Sequence, residues 1–163
     1  MAITLFRIDD RLIHGQTTTR WSKARPVQGI LVVSDAVAAN PLRKKVLKAA
    51  AANLKLGVYP VDIAIEKLSQ AIESKNNFFV ISDSPQYFAE LSEAGFKFGQ
   101  PINIGPMNTR EGTKVLGRTV AIDEKDYEAF ETLEKNGETV YFQLLPDDDK
   151  KSWSTMKKKY DSM

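Results

Sequence analysis

Short apolar runs alternate along this chain with longer segments of helical periodicity. The apolar runs are rich in β-branched and aromatic residues and predict strands over residues 3–8, 29–34, 55–60, 78–82, 101–106, 119–122 and 140–145. Apolar side chains three and four positions apart predict helices over residues 41–52, 61–73, 84–95 and 123–136, and a further helix opens at Gly15. Continuous apolar strands separated by helices are typical of parallel sheets covered on both faces. We therefore predict an α/β fold: a single domain over residues 1–163, with an open, mostly parallel sheet and helices on both faces.

The apolar pattern stops at a polar turn directly after the first predicted strand. Residues 9–14 contain two aspartates, an arginine and His14, the only histidine of the chain, before Gly15 begins a helical segment. The unpaired N–H groups at a helix N-terminus attract anions. An imidazole at this place, three residues after Arg11, suits a histidine that carries, accepts or hands on a negatively charged group.

Parallel α/β sheets bind their ligands outside the carboxyl ends of the strands. This rule brings three turns to one rim of the predicted sheet: residues 9–14, the turn at Ser34 and Asp35, and residues 105–110. A neutral imidazole can act there as a nucleophile or a base. Of Asp9 and Asp10, we expect one to cap backbone N–H groups and the other to orient His14 or hold Arg11. The alternative for a lone histidine is a purely structural role.

Composition narrows the class of function. The chain has 163 residues, of which 42% are apolar and 27% charged, and its net charge is +2, so we expect a globular protein without a nucleic-acid partner. Because it has no cysteine and one histidine, we expect no disulfide, no metal and no cofactor. It lacks a Gly-x-Ser-x-Gly elbow, Walker spacing and a Gly-x-Gly-x-x-Gly fingerprint. Without a signal peptide or a bilayer-spanning stretch, we expect a soluble cytoplasmic protein.

Residues 7–16, Arg-Ile-Asp-Asp-Arg-Leu-Ile-His-Gly-Gln, together with Trp21, resemble the active-site signature of one protein family. This family is the IIB component of the mannose/fructose/sorbose family of the bacterial phosphotransferase system. The resemblance covers residues 2–146 and includes four further segments: residues 30–35, 43–44, 102–107 and 126–130.

The resemblance implies a phosphocarrier enzyme. His14 aligns with the family's phosphorylated histidine and Arg11 with the arginine that helps to neutralise the phosphoryl group, while Asp9 and Asp10 are further candidate catalytic residues. Four more residues are expected around the phosphoryl group: Gly15, Gln16, Asp35 and Arg110. Backbone N–H groups and a guanidinium are suited to stabilising charge on the equatorial oxygens of a phosphoryl group in transfer.

The implied partners are a phosphorylated IIA protein or domain and the membrane subunits IIC and IID. A histidine of IIA would donate the phosphoryl group to His14, which would pass it to a sugar of the mannose, fructose, sorbose or amino-sugar class held by IIC and IID. The protein would then lie at the inner face of the membrane, bound through IIC and IID. A homodimer formed through an exposed sheet edge or helix is also compatible with the resemblance.

Two other functions stay open. One is a regulatory binding module that holds a partner or a small anion without transferring a group. Its signs are Pro106, which replaces the second glycine of the family's Asn-Val-Gly-Gly-Met turn, and an altered C-terminal tail. The other is a small hydrolase that uses His14 and Asp10 as an acid–base pair.

The C-terminal tail, residues 147–163, is rich in both aspartate and lysine. We expect it to be a solvated terminal helix or a frayed end, and the alternative is a segment that docks on a membrane-bound partner. Trp21 and Trp153 are expected to be packing residues.

Overall fold

The computed structural model describes residues 2–163, apart from the side chains of Gln16 and Thr17. Its strands are β1 (Ile3–Ile8), β2 (Gly29–Val33), β3 (Lys55–Tyr59), β4 (Phe78–Ser82), β5 (Ile102–Ile104), β6 (Lys114–Val115), β7 (Ala121–Ile122), β8 (Val140–Phe142) and β9 (Lys151–Ser152). Seven of them form one sheet in the order β3-β2-β4-β1-β5-β8-β9, and all neighbours in it are parallel except β8 and β9.

The helices cover both faces of this sheet. They are α1 (Gly15–Ala24), α2 (Asp35–Ala38), α3 (Pro41–Ala51), α4 (Val61–Ile72), α5 (Pro85–Glu93), α6 (Glu124–Lys135) and α7 (Trp153–Asp161). Buried side chains of α1, α2 and α3 pack with Leu5 and Val32 on one face, whereas those of α4 to α7 pack with Phe6 and Val80 on the other. The predicted architecture is therefore confirmed: the sheet is open, mostly parallel and covered on both faces.

The chain changes direction across the sheet, and this change creates a crevice at its centre. From β1 the chain moves outward through β2 to the edge strand β3, and it then returns through β4 and β5 to β8. Right-handed crossovers place the connections of the two directions on opposite faces. The chain therefore leaves β1 toward one face, while it leaves both of β1's neighbours, β4 and β5, toward the other. Ligand sites in open α/β sheets lie at such switch points.

The predicted strand over residues 119–122 does not belong to the main sheet, which corrects the sequence analysis. Its last two residues, β7, pair antiparallel with β6, and an isolated parallel bridge between Met107 and Val120 connects the segment to the chain after β5. The N–H groups of Leu116 and Gly117 both donate to the Val120 carbonyl, at 2.8 and 3.2 Å, and close a tight turn between the two strands. This local pairing forms a separate small hairpin.

The predicted strand over residues 140–145 ends earlier than expected, at Phe142. The reason is the side chain of Gln143, whose amide donates to the carbonyls of Pro146 and Asp148 at 3.1 and 2.7 Å. These hydrogen bonds fold the following segment back, so that β9 can return antiparallel to β8.

The C-terminal tail contains the terminal helix that we expected, with most of its residues exposed, but two buried residues anchor it to the fold, so it is not frayed. Ser152 caps α7 by accepting a hydrogen bond from the N–H of Thr155, and Trp153 and Met156 are buried. The Trp153 indole donates to Glu131 at 2.9 Å, and its ring lies 4.9 Å from that of Phe130. The predicted packing roles of Trp153 and of the buried Trp21 are both confirmed.

We expect Trp153→Ala to lower the free energy of unfolding by about 3–5 kcal/mol, because it removes a buried aromatic ring and leaves a cavity. Urea denaturation of the full chain measures this effect. Lys159→Ala, on the exposed side of the same helix, is the matched control and should stay within about 0.5 kcal/mol of the parent. A similarly small effect of Trp153→Ala would show that the tail does not contribute to the core.

No helix of the described residues is both long and apolar enough to cross a membrane.

Candidate functional site

The loop after β1 is a tight turn that directs its apolar side chains into the core and some of its polar side chains toward the surface. The N–H of Leu12 donates to the Asp9 carbonyl at 2.9 Å, and Leu12 has a left-handed backbone conformation with φ of 62°. This conformation costs a leucine about 1–2 kcal/mol. Burial of Leu12 and Ile13 in the core stabilises the turn against that cost. As a result Arg11 is exposed, and the side chain of His14 is 17% exposed.

His14 is the N-cap residue of α1, and its ring faces Asp9. Nε2 lies 2.9 Å from Asp9 Oδ2, while no hydrogen bond from the described residues reaches Nδ1. Because a carboxylate only accepts hydrogen bonds, the ring proton is on Nε2 when the imidazole is neutral. The His14 side chain makes no capping bond to the first turn of α1, so the N–H groups of that turn are available to an anion.

Asp9 orients His14, as we expected of one of the two aspartates, and it also caps a backbone N–H group. Its side chain is almost fully buried. Oδ1 accepts a hydrogen bond from the N–H of Arg11 at 2.9 Å and so fixes the turn, while Oδ2 orients the ring of His14.

Asp10 instead connects this turn to the turn after β5. Its N–H donates to the Pro106 carbonyl at 3.1 Å, and its Oδ2 accepts the N–H of Asn108 at 2.5 Å. The other carboxylate oxygen is buried without a hydrogen-bond partner among the described residues. Burial raises the pKa of Asp10; the hydrogen bond from Asn108 opposes this shift, and the neighbouring charge of Asp9 adds to it. Two of the three predicted turns are thus in direct contact.

This raised pKa gives Asp10 a defined effect on stability. The folded state holds the Asp10 proton more tightly than the unfolded state, so Asp10 contributes stability at low pH that is lost as pH rises from the ordinary value of 3.8 through the folded-state pKa. Asp10→Asn keeps an oxygen for Asn108 but cannot ionise. We therefore expect the free energy of unfolding of the parent, relative to this variant, to fall with pH in that window. Urea denaturation at several pH values tests this; a difference that rises with pH would contradict it, and Asp149→Asn on the exposed surface is the control.

Arg7 is the site residue that the sequence analysis missed. It lies in β1 and is the largest fully buried side chain of the described residues. Its guanidinium donates to Asn103 Oδ1, to the Gln143 carbonyl at 3.4 Å and to Asp9 Oδ2 at 3.3 Å. Burial lowers the pKa of Arg7, and the adjacent carboxylate of Asp9 opposes this shift. The available signal was an arginine inside an otherwise apolar strand.

Space for the Arg7 guanidinium depends on a glycine. A Cβ atom at Gly105 would lie 2.5 Å from Arg7 Cζ. We therefore expect Gly105→Ala to lower the free energy of unfolding by about 1–3 kcal/mol, as overpacking does. Gly15→Ala is the matched control, since a Cβ there meets nothing within 4 Å, and it should be neutral or slightly stabilising in thermal denaturation. Equal effects of the two substitutions would contradict this prediction.

The remaining predicted residues differ in how near they lie to this centre. Within the described part of the chain, the guanidinium of Arg11 makes no hydrogen bond or ion pair, and Arg11 is an exposed residue of the turn that ends at His14. Gly15 begins α1 and is exposed. The side chain of Gln16 lies outside the described residues.

Asp35 and Arg110 have other partners. Asp35 Oδ1 accepts the N–H of Val61 at 2.8 Å and so caps α4, two strands away from β1. The guanidinium of Arg110 pairs with Asp126 and lies 3.4 Å from Asp123. Burial raises the pKa of Asp126 despite these partners. A contact of Asp35 or Arg110 with a phosphoryl group therefore stays a prediction.

A polar cavity of about 310 Å³ lies at the same rim, on the side of Asp10. Its walls include Asp10, Asn108 and Arg110 on one side and Arg43 and Asp83, 3.8 Å apart, on the other. No group of three or more potential metal ligands occurs in the described residues.

Comparison with known proteins adds independent support. The family model described as the sorbose subfamily IIB component of the phosphotransferase system matches residues 3–163. The fructose-specific EIIB component of Bacillus subtilis is 33% identical over 153 residues, which are 91% of this chain and 91% of that protein. The mannose-specific EIIAB component of Escherichia coli is 39% identical over 139 residues, 84% of this chain but 42% of that longer protein.

The solved structures agree with the sequence relatives. The IIBSor domain of the sorbose permease from Klebsiella pneumoniae has a TM-score of 0.88 and 31% identity, and the superposition covers 100% of this chain and 99% of that one. The fold of the whole chain and the match to the family model therefore indicate the same family. This chain belongs to the sorbose subfamily of IIB components of the phosphotransferase system, a family that acts in sugar phosphotransfer.

Proposed function

We propose that His14 accepts a phosphoryl group on Nδ1 from a phosphorylated IIA protein or domain and passes it to a sugar held by membrane IIC and IID subunits. The observation that carries this proposal is the pairing of Nε2 with the buried carboxylate of Asp9, on a ring that is itself partly exposed at the start of α1. That pairing leaves the Nδ1 lone pair as the nucleophile.

In the proposed acceptance step, the Nδ1 lone pair attacks phosphorus. The P–N bond to His14 forms as the P–N bond to the histidine of IIA breaks, and the electron pair of the broken bond returns to that histidine. The proton on Nε2 stays between the ring and Asp9, whose negative charge offsets the positive charge that the ring gains. In the donation step, a sugar hydroxyl oxygen attacks phosphorus and gives its proton to water or to a base of the sugar-binding partner, while the P–N bond breaks and its electron pair returns to Nδ1.

The charge on the transferred phosphoryl group would be stabilised from two directions. Arg11 is exposed in the same turn as His14 and has no ion-pair partner among the described residues, so its guanidinium can pair with phosphoryl oxygens. The first N–H groups of α1 supply fixed partial positive charge. Catalysis of phosphoryl transfer depends mainly on such positioning and charge stabilisation.

The partners in this proposal follow from the family. One relative is named as an EIIAB component, so IIA and IIB units occur in one chain there. Relatives are named for fructose, mannose, sorbose and N-acetylgalactosamine. We propose that IIC and IID select the sugar. We also propose that a homodimer would form through the edge strand β3.

The test is incubation with radiolabelled, phosphorylated IIA. We expect label that is labile to acid and stable to base, the signature of phosphohistidine; because His14 is the only histidine, this signature identifies the residue. Phosphorus NMR of the product then distinguishes Nδ1 from Nε2. Label that is stable to acid or labile to base would place the group on a hydroxyl or a carboxylate and end the proposal.

A second arm tests onward transfer with membranes that contain IIC and IID. Sugar phosphate should appear as label leaves the protein. Label that enters His14 but never reaches sugar would instead indicate the regulatory binding module. Repeated turnover of a soluble ester with no partner present would indicate the hydrolase.

A further inference from the structure

Packing does not explain why an arginine occupies position 7 of the chain. Arg7 is 2% exposed and lies in the central part of the sheet, between β4 and β5. Replacing a buried ion pair by apolar residues of similar volume is often neutral or stabilising, so such a pair is weak support for stability. The proposed phosphoryl transfer does not use Arg7 directly either.

The guanidinium of Arg7 is fixed by residues that lie outside the loop after β1. Nη1 donates to Asn103 Oδ1 in the middle of β5 and to the Gln143 carbonyl after β8. The ring of Trp21, on α1, lies 5.3 Å from Cζ and covers the guanidinium from one side. Gly105 leaves the space in which the group sits. This arrangement aims Nη2 at Asp9.

Arg7 and His14 bind the same oxygen atom of Asp9. Oδ2 lies 3.3 Å from Arg7 Nη2 and 2.9 Å from His14 Nε2, and Asp9 is 1% exposed. A buried carboxylate is held as an anion by such a cation. The same cation offsets part of the negative charge that the ring of His14 faces.

We propose that Arg7 is a positioning residue that acts on His14 through Asp9: it keeps the single proton of a neutral imidazole on Nε2 and so preserves the Nδ1 lone pair for phosphorus. This inference rests on the proposed transfer through His14. Without Arg7, Asp9 would attract a second proton to the ring, and an imidazolium has no lone pair with which to attack phosphorus.

Few other charges can replace Arg7 in this role. The charged and titratable groups around the network are Arg7, Asp9, Asp10, Arg11, Arg25 and Tyr141. Arg25 donates to the Thr4 carbonyl at 2.8 Å and to the Tyr141 hydroxyl at 3.4 Å, and it meets Trp21 rather than Asp9. Arg11 binds Asp9 through its backbone N–H, and its guanidinium is exposed.

The test is a pH titration of the His14 ring by nitrogen NMR on the full chain, which needs no partner and no phosphoryl transfer. Because the chain has one histidine, the ring signals need no assignment. In the parent we expect the Nε2–H tautomer at neutral pH. In Arg7→Met we expect the ring to gain its second proton at a pH higher by about one unit. This is the effect expected when Asp9 loses the neighbouring cation that offset its negative charge. Phosphoryl acceptance should then fall, by about tenfold at acidic pH and by less near neutral pH, and recover as pH is raised.

Two further variants separate charge from packing. Arg7→Lys retains the cation and should return the titration toward that of the parent. Asn103→Asp leaves the Arg7 side chain in place but gives it a second carboxylate, so it should shift the titration in the same direction as Arg7→Met. If Arg7→Met does not fold, Asn103→Asp still tests the proposal.

The proposal is overturned if folded Arg7→Met, or Asn103→Asp, has the tautomer and the titration of the parent. That result leaves phosphoryl acceptance by the parent intact and reduces Arg7 to a structural residue. Failure of the parent to take label from IIA, with the NMR shifts as expected, would instead end the proposed transfer.

Discussion

Replacing His14 with glutamine should abolish phosphoryl acceptance and, with it, all transfer to sugar. Glutamine can donate to Asp9 from a side chain of similar reach, but its amide nitrogen has no basic lone pair and cannot attack phosphorus. Since the chain has no second histidine, no other imidazole can substitute. Incubation with labelled, phosphorylated IIA measures the effect directly.

The control for this variant must show that the fold and the docking surface persist. Thr19→Ala, on the exposed side of α1 four residues beyond Gly15, should accept label at the rate of the parent. Binding of His14→Gln to IIA, measured by titration calorimetry, should be retained. Label on His14→Gln at the level of the parent would refute the role of His14.

Replacing Arg11 with alanine should slow acceptance about 10²- to 10³-fold, which corresponds to roughly 2.7–4 kcal/mol of barrier. Arg11 is exposed in the turn before His14 and its guanidinium is unpaired among the described residues, so its charge is available to the phosphoryl oxygens. It does not hold the turn together, because only its backbone N–H binds Asp9. We therefore expect the loss in rate without a matching loss in thermal stability. Single-turnover transfer from phosphorylated IIA is the measurement.

Arg20→Ala is the matched control for Arg11→Ala. Arg20 is also an exposed arginine, but it lies on α1 and pairs with the exposed Asp147 at 2.9 Å, a contact that contributes little. Its removal takes away the same formal charge and should leave the transfer rate within about twofold of the parent. Equal losses in the two variants would mean that overall charge attracts IIA and that Arg11 has no specific part in the transfer.

Some of the site followed directly from local sequence. An apolar strand that stops at Asp9, followed by a polar turn and the glycine that opens a helix, predicts His14 at the N-terminus of α1, and the structure has it there. The architecture followed as well, because continuous apolar strands alternating with amphipathic helices have few ways to bury their surfaces. These features depend on residues close together in the chain.

Other features depend on residues far apart in the chain and escaped prediction for that reason. The order of the strands brings Asn103 and Gln143 against Arg7, 96 and 136 residues from it. The sequence analysis placed the turns of Asp10 and Asn108 on one rim but not the hydrogen bond between them, and it did not anticipate that Asp35 caps α4. The charged tail looked solvated because its two anchors, Trp153 and Met156, are isolated among polar residues.

The chain by itself specified its class of fold and singled out the proposed nucleophile, since periodicity and local polarity are encoded within a few neighbouring residues. Only the tertiary structure decided which ring nitrogen of His14 faces Asp9, which aspartate is buried, and that the cation paired with Asp9 is Arg7. Those outcomes depend on which strands lie beside β1, and hydrogen bonding across a sheet is set by strand order that no local pattern records.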